Sequence, residues 1–101
     1  MHGRRETIEA ALRRLAPAIP DHECDAIVDR AVDSRGLKAA SAESAAWLSM
    51  VAYIRHQLTE YDELLAQGYD AESARHFVLD DINAILGEWK VRRRIETEDG
   101  E

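Results

Sequence analysis

Five polar side chains recur at helical spacing. Arg55, His56, Thr59 and Asp62 fall within the stretch IRHQLTEYDELL (Ile54 to Leu65), and Arg75 follows downstream. At about 100° per residue, Arg55, Thr59 and Asp62 stand at i, i+4 and i+7 along the border between an apolar stripe and solvent. His56 falls almost opposite the stripe. Two guanidiniums near one carboxylate can hold a phosphate or a carboxylate ligand through paired hydrogen bonds. These five residues are therefore the candidate binding set. The plainer reading is a network of border ion pairs that ties two helices together, and a third is a protein interface. No catalytic residue is assigned.

Other constellations carry less. His56 with Glu60 and His76 with Asp80 have the i, i+4 spacing of metal ligands. Pairs of this kind arise by chance on charged helices, so no metal and no cofactor is expected. Cys24, in DHEC, belongs to an apolar stripe, whereas a reactive thiolate needs access and a positive setting. Arg4-Arg5, Arg13-Arg14 and Arg92 to Arg94 are basic clusters; the second pair and the run Lys90 to Arg94 suit helix C-termini, where cations offset the macrodipole. ELLAQGYDAESARHF invites a helix-turn-helix reading. Its second helix opens with Asp70 and Glu72, acids that would approach phosphate, and Leu64 occupies a position that wants a small residue.

The elements that would carry these residues are helical. Of 101 residues, 46% are hydrophobic, while glycine and proline number five and two; Ala, Leu, Glu and Arg dominate and favour helix. The expected fold class is all-α, one domain of four helices over residues 1–95, with an acidic, disordered tail over 96–101. The first helix spans Arg4 to Leu15 and stops at Pro17 and Pro20. The second starts with Asp21 as N-cap, carries Cys24, Ile27, Val28, Ala31 and Val32, and stops at Gly36, with Leu37 packing back on Val32. The third, capped by Ser41, shows Trp47, Val51, Ile54, Leu58, Tyr61 and Leu65 in alternating steps of four and three. That regularity predicts one helix running through Thr59 to about Ala66, with Thr59 the place for any kink. The stripe could also zip against a second copy. Gly68 is the next stop, with Tyr69 packing on Leu64, and Asp70 caps the fourth helix. Its stripe is Val78, Ile82, Ile85 and Trp89, flanked by Phe77 on one side and by Leu79 and Leu86 on the other. His76, Asp80 and Asn83 form an outward strip, and the helix frays near Arg94. An antiparallel hairpin of the third and fourth helices, turning at Gly68, is the expected core of the domain. Its geometry sets Asp62 opposite Arg75 as a direct ion pair.

The string VAYIRHQLTEYDELL resembles the signature of domain-of-unknown-function family 2293. The residues that carry the resemblance are Arg55, His56, Thr59, Tyr61, Asp62, Leu64 and Leu65, then Ala74, Arg75 and Trp89. It covers about Trp47 to Trp89 and implies no activity.

The net charge of −7 opposes broad attraction to nucleic acid or anionic membrane and leaves room only for a local basic patch. A lone cysteine suits a reducing cytoplasm. No apolar run approaches the ~18 residues of a membrane helix. The sequence thus points to a small cytoplasmic binding or scaffolding module with an unknown protein partner or with itself. A nucleic-acid or phosphate-binding domain using Arg55, His56 and Arg75 is the first alternative, and a small enzyme with an Arg/His/Asp site the second.

Overall fold

The computed structural model describes residues 3–96. Five α-helices follow one another: α1 (Arg4–Leu15), α2 (Asp21–Asp33), α3 (Ala42–Gln57), α4 (Tyr61–Ala66) and α5 (Ala71–Glu88), with a short 3₁₀ turn at Arg35–Leu37 between α2 and α3. The fold class is all-α, as expected; the count of four helices is corrected to five. The predicted tail lies, beyond Glu96, outside the described residues.

The fifth helix arises because the third predicted helix breaks after Gln57. Thr59 causes it. Its hydroxyl donates to the Arg55 carbonyl and accepts from the Tyr61 amide at 3.2 Å. The same side chain therefore closes one helix and takes up the first amide of the next, whose N-cap is Glu60, an alternative to the helical ladder that threonine readily offers. The break shifts the helical phase. Leu64, not Leu65, turns inward, and Leu58 and Leu65 are exposed.

α1, α2 and α3 pack most closely, which moves the centre of the fold away from the expected hairpin. Ile8, Leu12, Ile27, Met50 and Ile54 are fully buried there. α3 fits tightly because Ala45, Ala46 and Ser49 are small and all buried, so backbones approach closely at native packing density. Cross-links tie the bundle at its edges. The Tyr53 hydroxyl of α3 donates to Glu23 of α2 at 2.5 Å. The Arg4 guanidinium donates to the carbonyls of Leu37 and Ala40, fixing the loop before α3. Arg5 pairs with Asp29 and Arg14 with Glu43. These basic pairs act as braces.

Of the helix-end signals, Asp21 is not the N-cap of α2: Pro20 holds that position and no side chain caps it; the other four fare differently. Ser41 accepts from the Ser44 amide and Asp70 from the Ser73 amide, so both caps stand. That second bond holds the Asp70 carboxyl below the usual aspartate range. Gly68 has φ 105°, and the bonds Gly68 N–H to Leu65 O and Tyr69 N–H to Leu64 O complete a Schellman stop. Gly36 does not stop α2. The helix already ends at Asp33, and Gly36 lies in the 3₁₀ turn. The fourth predicted helix likewise ends earlier than expected, at Glu88. Lys90 takes the left-handed position with φ 66°, and Val91 N–H reaches back to Leu86 O. That is a Schellman stop built without glycine. It turns the chain so that Trp89 and Val91 are both buried. Asn83, expected on an outward strip, instead clamps the segment beyond. Its amide donates to Ile95 O at 3.0 Å and accepts from Ile95 N–H at 2.9 Å.

Candidate functional site

Because α3 breaks at Thr59, the five predicted binding residues divide between two places. His56, Thr59 and Asp62 gather round the break, along an open, shallow concavity. Arg55 and Arg75 line a separate groove between α3 and α5.

At the break, His56 Nδ1 lies 2.6 Å from Asp62 Oδ1. A carboxylate only accepts, so the proton of this bond sits on Nδ1. The expected Asp62–Arg75 ion pair is thus corrected. A continuous helix would have carried Asp62 toward α5; the break swings it toward His56 instead. The imidazole also stands edge-on to the Tyr61 ring, centroids 5.2 Å apart. Both partners of the pair keep substantial exposure, so it stabilises by no more than about 1 kcal/mol.

Arg55 is on the other side. Its guanidinium lies 5.7 Å from the Tyr61 ring centroid. Its Nε is buried and has no hydrogen-bond acceptor among the described residues. Arg75 makes no ion pair within 4 Å among the described residues, and its charge contributes to lowering the Asp70 pKa. A permanently charged fork with a buried, unmatched donor is costly to keep.

The groove these arginines enter has a volume of about 1190 Å³. Trp47, Leu48 and Val51 of α3 form one wall; Phe77, Leu79 and Ile82 of α5 form the other. The segment after α5 supplies Arg93, Ile95 and Glu96. Arg93 stacks on the Trp47 ring at 4.1 Å, and Asn83 holds Ile95 in place. Leu48 is 48% exposed and Phe77 60%. Glu43, at one end, is held by Arg14, while Glu72 shares the other end with Arg75. The walls are therefore apolar and the unmatched charge is mainly cationic.

Sequence reasoning placed Trp47 and Val51 in the core stripe and missed that this stripe faces a groove. Leu48, off the stripe, and Phe77, on a flank, were the signals. Arg93 and Asn83 gave none, because their roles depend on where the chain returns after Lys90.

Cys24 is fully buried and burial pushes its thiol pKa up, the opposite of what a nucleophile needs. Among the described residues, no group of three or more His, Cys, Asp or Glu side chains converges as metal ligands would. None of the described helices is long and apolar enough to cross a membrane.

No curated protein and no solved structure matches the chain. The sequence profile of one family, described as uncharacterized conserved protein (DUF2293), matches residues 11–90. That span takes in α2, α3, α4, α5 and the end of α1, and the chain belongs to the DUF2293 family.

Proposed function

We propose that this chain is a small helical binding module, acting as one domain over residues 1–95, and that the groove between α3 and α5 is its ligand-facing surface. One observation carries the reading: the chain keeps an apolar-walled groove of about 1190 Å³ open beside a closely packed bundle. Ligand sites commonly combine apolar walls with a few placed polar groups. Exposed large apolar residues that adjoin one another mark interaction surfaces more often than singly scattered ones do. Leu48 and Phe77, both exposed, line one groove. Arg55 and Arg75 of the family-like signature supply the polar groups, while His56, Thr59 and Asp62 serve to shape the break that keeps Arg55 in the groove. A reducing, cytoplasmic setting suits the lone buried cysteine.

The test is a titration of ¹⁵N-labelled protein with small apolar probes such as indole and isopropanol. The expected result is amide shifts concentrated at Trp47, Leu48, Val51 and Phe77, with the Trp47 indole signal among the largest. Shifts that scatter over the surface, or that centre on the His56–Asp62 concavity, would remove the reading.

A further inference from the structure

We propose that the α3–α5 groove receives the apolar face of an amphipathic helix from a protein partner, and that a carboxylate on that helix pairs with Arg55. The proposal deepens the binding-module reading and rests on it. Length is the first argument. From Glu43 to Arg55 the α3 wall runs about 18 Å at 1.5 Å per residue, enough to seat roughly three turns of helix. Wall chemistry is the second. Leu48 and Phe77, 48% and 60% exposed, stand on opposite walls. A helix laid between them would cover both with one stripe of apolar side chains at i, i+3 or i+4, and i+7.

Charge fixes the polar part of the partner. Arg55 carries a buried Nε with no acceptor among the described residues. Arg75, which lines the same groove, makes no ion pair within 4 Å among the described residues, Asp62 being engaged by His56. A carboxylate is the ligand that a guanidinium fork matches best while the neighbouring surface is apolar. A nucleic-acid backbone would instead lay phosphates along Leu48 and Phe77, against a chain of net charge −7. A small free anion would leave both apolar walls in water.

A display library of random peptides, about four helical turns long, selected on the immobilised full chain, tests this. The enriched peptides should share an apolar stripe at helical spacing and an Asp or Glu at one end. Synthetic copies should lose affinity by at least about tenfold on Arg55→Gln, and similarly when the peptide's acid is changed to its amide. Arg55→Lys should rescue only part, since it restores charge without the fork. Phe77→Ser, at an exposed position, should weaken the same peptides while the far-ultraviolet helical signal of the folded chain is retained. That second variant keeps the test valid should Arg55→Gln unfold. Peptides that bind through the apolar stripe with no acidic preference would overturn the proposal and leave the binding-module reading standing. Failure to enrich any peptide, or enrichment of basic ones, would overturn it too. So would sedimentation showing a dimer of the chain that Phe77→Ser dissociates, because a second copy would then be the occupant.

Discussion

Away from the groove, α3 presents Ala45, Ala46, Ser49 and Met50, all buried, and Tyr53, which reaches α2 through Glu23. Toward the groove the same helix presents Trp47, Leu48 and Val51, and Leu48 stays 48% exposed. The difference shows how residue size decides the role of a helix face. Small side chains let α1 and α2 close on α3 and leave nothing open. Large ones hold α5 off, so α5 meets α3 through a restricted set of residues and the space between remains accessible. A bulky stripe is the stronger apolar signal in a sequence, yet here it marks the less closed of the two faces.

The largest effect expected on the closed face is from Met50→Ala. It removes a fully buried side chain and should destabilise by about 2–5 kcal/mol in chemical denaturation. A loss under 1 kcal/mol would mean that the closed face is less tightly packed than its burial indicates. Next come two substitutions that set the faces against each other. Ala46→Leu should cost about 1–3 kcal/mol through overpacking, whereas Leu48→Ser should stay within about 0.5 kcal/mol of the parent. Equal costs would erase the distinction.

On the open side, Asn83→Ala should cost about 1–3 kcal/mol, because two hydrogen bonds to Ile95 are lost. Hydrogen exchange at the Ile95 amide should speed up while the Met50 amide is unaffected. Protection unchanged at Ile95 would show that the segment is held by other contacts. Lys90→Gly should stabilise by about 1 kcal/mol, since Lys90 occupies left-handed backbone that a side chain disfavours. A lower thermal midpoint would count against that conformation.

The smallest effect is one of pH. Tyr53 donates to Glu23, and that bond with partial burial pushes its pKa up from 10.0 to about 12. The raised value means the protonated phenol is favoured in the folded state. Its contribution is fully present below pH 10 and is lost as pH rises toward 12. Tyr53→Phe should flatten that alkaline decline, and Glu23→Gln should bring the phenol back toward its ordinary value in an absorbance titration. A phenol that titrates at its ordinary value in the parent would contradict the link between α2 and α3.

The sequence made the end of α1 legible, because two prolines follow it, and made the Ser41, Gly68 and Asp70 signals legible because each is local. Three features escaped. The α3 break hangs on one threonine hydroxyl that competes with an unbroken apolar period. The α5 stop uses Lys90 in a position where glycine is the usual mark. The closed face of α3 is written in alanine and serine, which weigh little in any apolar pattern. Of the five candidate binding residues, Arg55, Thr59 and Arg75 are half-buried, as a border position requires, whereas Asp62 is exposed and His56, expected almost opposite the stripe, is half-buried. Their grouping did not follow, because setting Asp62 opposite Arg75 across the hairpin assumes that the helix before the turn keeps its phase.

The Thr59 break also has a kinetic meaning. By turning Asp62 toward His56, it leaves Arg55 and Arg75 without an ion pair among the described residues, on a molecule otherwise strongly negative. Such a local field acts only over about 10 Å at 0.1 M salt. An acidic partner would thus feel net repulsion from afar and attraction only on close approach. Its association rate should therefore be modest and respond weakly to salt, with discrimination residing in how slowly it leaves.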